Sequence, residues 1–270
     1  PYNGLGYALA FEGRFDDAVR ALERYVSLLP GESNPHDSLG EVLLLAGRPS
    51  EAERAYRRSL ELSPQFTASW AGLGHARLFA GDTEGARDAY REMAARAGEG
   101  PDRTNALLWM AMTKAWAGKF DDAASQLADA AALLRTEGDV FSSHLLEARR
   151  VPLLAEAGQH KAAIDLANQV LKSLTDKRGA GRLSPASQAV VRRHALWGRG
   201  WAELLASQPD KVALTLDQLE ASVGKDPHGE AATQVATLQA ALDLHDDEPR
   251  AALKALARAA NAVGTAPIAS

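Results

Sequence analysis

The sequence predicts an all-α chain: a solenoid of about seven antiparallel helix hairpins. Three observations carry this. A glycine is followed five residues later by an alanine at Gly13/Ala18, Gly47/Ala52, Gly81/Ala86, Gly118/Ala123 and Gly158/Ala163. Successive glycines lie 34, 34, 37 and 40 residues apart, the period of stacked two-helix units that bury their apolar faces against neighbours. Between the glycines, small and apolar residues fall at helical spacing. In residues 50–62, Ala52, Tyr56, Ser59 and Leu60 share a face, while Glu51, Glu53, Arg57 and Arg58 lie mostly elsewhere. No stretch combines strict alternation with the β-branched and aromatic enrichment of a strand.

Local chemistry then justifies the elements in order. The expected pairs are 2–12 with 15–28, 35–46 with 49–62, 67–80 with 83–96, and 104–117 with 120–135. They continue as 140–157 with 160–175, 185–206 with 209–223, and 229–243 with 247–261. Each repeat glycine follows an apolar run, where a helix closes through a left-handed residue. Asp16-Asp17 and Asp121-Asp122 put negative charge at the positive end of the helix that follows. Asn34-Pro35 and Ser184-Pro185 each supply a cap and a first-turn proline. Pro30 and Pro64 stop second helices, and Pro152 is expected to kink or restart its own. The alanine lies early in each second helix, where a small side chain lets the two helices approach closely. In the last two units only the spacing survives, as Gln208/Ala213 and Asp246/Ala251.

Composition removes several function classes. The net charge of -5 leaves no basic footprint for nucleic acid, and Arg149-Arg150 and Arg192-Arg193 are isolated pairs. No run of about 18 apolar residues is present, so no membrane insertion is expected. The absence of Cys excludes disulfides, thiolate metal sites and a Cys nucleophile. The seven histidines are scattered without an HExxH pair, and His144 with Glu147 would need outside ligands to hold a metal. His36, Asp37 and Ser38 are triad letters, but consecutive helical residues diverge and cannot form a relay. No phosphate-cradling glycine motif occurs. The expectation is therefore no enzyme, no metal and no cofactor.

The first three units resemble tetratricopeptide repeats in more than their period. Tyr2, Leu5, Gly6, Gly13, Ala18 and Pro30 follow that family's order of an aromatic, a Leu-Gly pair, a helix-ending Gly, a small Ala and a terminal Pro. His36, Leu39, Gly40, Gly47, Ala52, Tyr56 and Pro64 repeat it, as do Trp70, Leu73, Gly74, Gly81, Ala86 and Tyr90. Beyond residue 100 the match thins to Gly and Ala, then to spacing alone. The resulting division is 1–175 as regular to lengthened repeats, 176–184 as a hinge loop, and 185–270 as degenerate hairpins or a cap.

The resemblance implies a right-handed superhelix with first helices lining a concave face. It brings inward Asn3, Tyr7, Ala10 and Phe11; Asp37, Glu41, Leu44 and Leu45; Ala71, His75, Leu78 and Phe79; and Leu108, Met112, Ala115 and Trp116. Tyr7, Phe11, Phe79, Met112 and Trp116 form an apolar stripe, which serves either as a peptide groove or as packing against neighbouring helices. The peptide-binding set is thus Tyr7, Phe11, Asp37, Glu41, Leu44, His75, Phe79, Met112 and Trp116. Asp37 and Glu41, four apart, either meet a basic ligand segment or form an ordinary solvated face. The chaperone-binding members' carboxylate clamp of inward Lys, Asn and Arg is not expected, because this chain has Asn3 but Tyr7, Ser38, Ala71 and His75 around the corresponding region. Trp197 and Trp201, also four apart, are expected in the core.

The function so implied is a scaffold that binds a protein or peptide segment in its concave groove. The alternatives are a regulatory or sensory module of a larger bacterial signalling or transcription-regulatory protein, and an enzyme with a site among the C-terminal helices. A start at Pro1 suggests a fragment without its native N-terminus. A cytoplasmic setting is favoured, and a homo-oligomer is open. Replacing Ala52 by Leu is expected to overpack its hairpin by roughly 1–3 kcal/mol, read as a lowered urea midpoint; helix propensity alone predicts almost no change.

Overall fold

The computed structural model describes residues 1–175, 183–224 and 229–264, and every regular element among them is a helix. The chain divides into two compact units, Pro1–Gly118 and Lys119–Ser270. The first holds α1 (Tyr2–Phe11), α2 (Phe15–Leu28), α3 (Ser33–Leu45), α4 (Pro49–Leu62), α5 (Thr67–Phe79), α6 (Thr83–Arg96) and α7 (Pro101–Trp116). Each of these helices packs on the next. In addition α1 touches α3, α3 touches α5, and α5 touches α7. The odd-numbered helices therefore stand side by side as one face, with α2, α4 and α6 behind them.

The second unit holds α8 (Phe120–Thr136), α9 (Val140–Glu156), α10 (His160–Ser173), α11 (Pro185–Leu205), α12 (Pro209–Val223), α13 (Gly229–His245) and α14 (Pro249–Gly264). Here α8 packs on α9, α9 on α10 and α11, α11 on α12 and α13, and α13 on α14. The division between units falls between the two helices of the fourth expected hairpin. Of the expected hinge at 176–184, residues 176–182 lie outside the described residues.

The five landmark glycines all occupy left-handed backbone, with φ between +72° at Gly47 and +85° at Gly81. The five alanines that follow them are completely buried. Within the units, at Gly13, Gly47, Gly81 and Gly158, turn and contact are thus two halves of one device: the glycine reverses the chain, and the buried alanine lies on the returning helix that packs back. The sequence reading misses one copy of it. Gly138, at φ +87°, makes the same turn between α8 and α9, and the buried residue five positions on is Ser143 rather than Ala.

In the last two hairpins the device is shifted from its expected register. The left-handed residues are Ser207 (φ 57°) and Asp247 (φ 60°), not Gln208 and Asp246. The buried residues five positions on are Val212 and Ala252, whereas Ala213 is exposed and Ala251 only half-buried. Spacing alone cannot fix a register once glycine, the residue that marks a positive φ, has been replaced.

A second set of small residues governs the first unit. A Cβ built on Gly6 would stand 2.6 Å from Leu22, on Gly40 2.9 Å from Tyr56, and on Gly74 2.4 Å from Tyr90. In each case the contact is sixteen residues later, on the partner helix. Three further expectations are met or corrected. Ser184 caps α11, accepting from the Ser187 N–H at 3.0 Å with Pro185 behind it. The N-cap of α3 is Glu32 rather than Asn34, although Pro35 stays in the first turn. Pro152 does not restart its helix, since α9 runs unbroken from Val140 to Glu156.

Gly47→Ala is expected to lose about 1–2 kcal/mol, because an L side chain must then hold a left-handed turn. Ser207→Gly should gain a smaller amount, as relief of that strain is partly offset by glycine's larger unfolded-state entropy. Urea midpoints of the two variants, moving in opposite directions, check the pair.

Candidate functional site

A groove of about 440 Å³ opens on the odd-helix face of the first unit, between α3 and α5. Its floor is the ring of Tyr56, which reaches through from α4. That reach depends on Gly72, where an added Cβ would stand 2.2 Å from two ring carbons of Tyr56. The same ring lies against Gly40, so two glycines on adjacent first helices hold one aromatic between them.

One end of the groove is acidic. Asp37 Oδ1 accepts a 2.6 Å hydrogen bond from the Ser69 hydroxyl, and Ser69, its hydrogen so committed, accepts from buried Ser59 at 2.7 Å. This chain ties α3, α5 and α4 together. One turn along α3, Glu41 Oε2 accepts from the Tyr7 hydroxyl of α1 at 2.6 Å. Neither carboxylate meets an arginine or lysine among the described residues. Burial pushes the Asp37 carboxyl up to about 6, the nearby charge of Glu41 adds to this, and the Ser69 bond opposes it. Burial also raises the phenols of Tyr7 and Tyr56, with help from the same two carboxylates, so both hydroxyls keep their protons.

His75, on α5, lines the groove. Its Nδ1 bonds the Tyr90 hydroxyl at 2.7 Å, and its ring stands edge-on to Trp109 at 4.6 Å between centroids. Burial lowers its pKa below the ordinary histidine value, so at neutral pH it stays uncharged and leaves the acidic pair uncompensated. The opposite end is apolar, formed by Leu44, Leu45 and Phe79. Phe11, Leu45, Phe79 and Trp116 are the final residues of α1, α3, α5 and α7, and their exposures are 59%, 57%, 65% and 60%. Phe79 and Trp116 meet edge to face, with centroids 6.3 Å apart.

Of the nine residues expected to bind a peptide, Asp37, Glu41, Leu44, His75 and Phe79 line this groove. Tyr7 stands beside it through Glu41, Trp116 meets Phe79 at its apolar end, and Phe11 is exposed at the end of the neighbouring α1. Met112 is half-buried on α7, outside the lining. Ala10, Leu78 and Ala115, expected to point inward, are instead buried. The sequence reading misses Tyr56 as the floor and Ser69 as the partner of Asp37. The signal for Tyr56 is Gly72, a second glycine two residues before the Gly74 of the repeat pattern.

In the second unit, Trp197 and Trp201 stack at 6.3 Å and are half-buried. Their indole N–H groups donate to Thr237 at 3.2 Å and Glu156 at 2.7 Å. His144 bonds the Val140 carbonyl, and Glu147 pairs with Arg150 and Arg135. No group of three or more metal-ligating side chains occurs among the described residues, and no described helix is long and apolar enough to cross a membrane.

The Asp37 environment sets a pH dependence. Its folded carboxyl titrates near 6 against about 3.9 when unfolded, so the folded state holds the extra proton between those values. Stability attributable to this group is therefore lost as pH rises from about 4 through 6. Asp37→Asn, which keeps an acceptor for Ser69, is expected to gain about 1–2 kcal/mol at pH 7 and nothing below pH 4, after discounting for partial exposure. Denaturant titrations at the two pH values test this.

No family model matches the sequence, and no curated protein is significantly similar to it. Solved structures are similar in fold. A tetratricopeptide repeat protein from Parabacteroides merdae ATCC 43184 aligns over 97% of this chain and 91% of its own, with a TM-score of 0.59 at 14% identity. The nearly identical TPR-like repeats of a putative kinesin light chain from Podosopora anserina align over 63% of this chain and 91% of theirs, with a TM-score of 0.53 at 18% identity. The APC/C hetero-tetramer Cut9-Hcn1 aligns over 98% of this chain but 46% of its own, with a TM-score of 0.52 at 18% identity. The chain has the tetratricopeptide-repeat fold.

Proposed function

We propose that the chain is a non-catalytic interaction scaffold whose first unit binds a segment of a protein partner in the groove between α3 and α5. The observation that carries this reading is the row of Phe11, Leu45, Phe79 and Trp116. Four large apolar side chains, each more than half exposed, end four helices, and consecutive helices in the row touch. Exposed apolar side chains gathered in this way mark interaction surfaces. The adjoining groove adds hydroxyl, imidazole and carboxylate groups that give an extended segment orientation as well as affinity.

The chemistry of the groove favours binding over reaction. His75 is committed to Tyr90, and Asp37 to Ser69. The two carboxylates sit on one helix, each already holding a hydroxyl donor.

The double variant Phe79→Ser with Trp116→Ser is expected to reduce capture of the partner from extracts of the native organism by at least about tenfold, the scale of losing central aromatic anchors. Far-ultraviolet circular dichroism should stay unchanged, because both rings are mostly exposed. Undiminished capture by a folded double variant overturns the groove assignment.

A further inference from the structure

We infer that the groove selects a peptide segment with an arginine or lysine side chain placed on Asp37 and Glu41, followed by an apolar side chain against Leu44, Leu45 and Phe79. This rests on the reading of the groove as a peptide site and names the chemistry of its occupant. Two carboxylates one turn apart present their charge at one end, and their hydrogen-bond donors are neutral hydroxyls. Tyr7 and Ser69 orient the acceptors and leave the charge itself unmatched. Elsewhere in the same unit carboxylates do meet guanidinium groups, as Asp17 does with Arg14, Glu51 with Arg48 and Glu53 with Arg77.

The residues lining the groove from α3, α4 and α5 include no lysine or arginine, and His75 is kept neutral by burial. From α1 the group facing Glu41 is the phenol of Tyr7, whose proton is retained. A ligand cation is thus the complement this end lacks. Its affinity would come from charge-assisted hydrogen bonds to acceptors already aimed by the fold. The raised carboxyl of Asp37 agrees, since the chain carries there a charge that its own folding disfavours. The apolar half is set by the opposite end of the same groove, so the selected feature is a cationic residue with an apolar neighbour rather than positive charge alone.

The test uses synthetic peptide pools with identical random flanks and one fixed central residue: arginine, lysine, citrulline or glutamate. Retention on the immobilised full chain is the readout. Arginine and lysine pools are expected to be retained about tenfold over citrulline, the scale of charge-assisted hydrogen bonds, and glutamate to be excluded. Glu41→Gln, on an exposed residue, and the Asp37→Asn/Glu41→Gln pair should bring arginine down to the citrulline level, while Phe79→Ser/Trp116→Ser should lower every pool. Retention that depends on Phe79 and Trp116 but shows no preference for arginine or lysine overturns the cationic assignment and leaves the groove reading intact. Retention of no pool above the Phe79→Ser/Trp116→Ser level overturns both.

Discussion

The structure depends on how closely paired helices are allowed to approach. In the first unit that distance is set by glycines on one helix and by Leu22, Tyr56 and Tyr90 on the other, with buried alanines completing the contact after each turn. Side chains as large as tyrosine are buried almost wholly without a wide core, because each has a glycine on the facing helix to lie against. This lets a unit made of short helices bury its apolar surface in successive narrow layers, and lets the layers repeat.

Much of this was legible because the constraint acts on residue types that have few substitutes. A left-handed turn asks for glycine, and a closest approach asks for glycine or alanine, so Gly13 to Ala18 and its copies stay visible in the sequence. Where the backbone tolerates another residue, visibility fades while the geometry remains. Gly138 keeps its turn but is followed by Ser143, and Ser207 and Asp247 hold positive φ without glycine. The register of the last hairpins could not be read for that reason. Pro152 does not restart the helix as local rules allow: it sits within an unbroken α9, beside Gly198 of α11.

The site was legible in part, and the missed pieces share a cause. The resemblance to tetratricopeptide repeats put Asp37, Glu41, His75 and Phe79 on the inner face of the first helices, where residues four apart share a face. It assigned Ala10, Leu78 and Ala115 to the groove as well, although these are buried. It could not find Tyr56, which belongs to a second helix and enters the first-helix face only through the gap at Gly72. Nor could it find Ser69 as the donor to Asp37, a contact between residues 32 apart that arises only when α3 and α5 lie side by side.

The double role of Tyr56 limits how this surface can be altered. One ring both closes the second hairpin and floors the groove, so changing it to suit a different ligand would loosen the stack in the same step. Tolerance to change is concentrated instead at the rim, where Leu45 and Phe79 are exposed, and at Glu41, which is held by a single hydroxyl. Engineering or divergence of recognition on this face therefore has an available route through those positions, with the floor inherited unchanged.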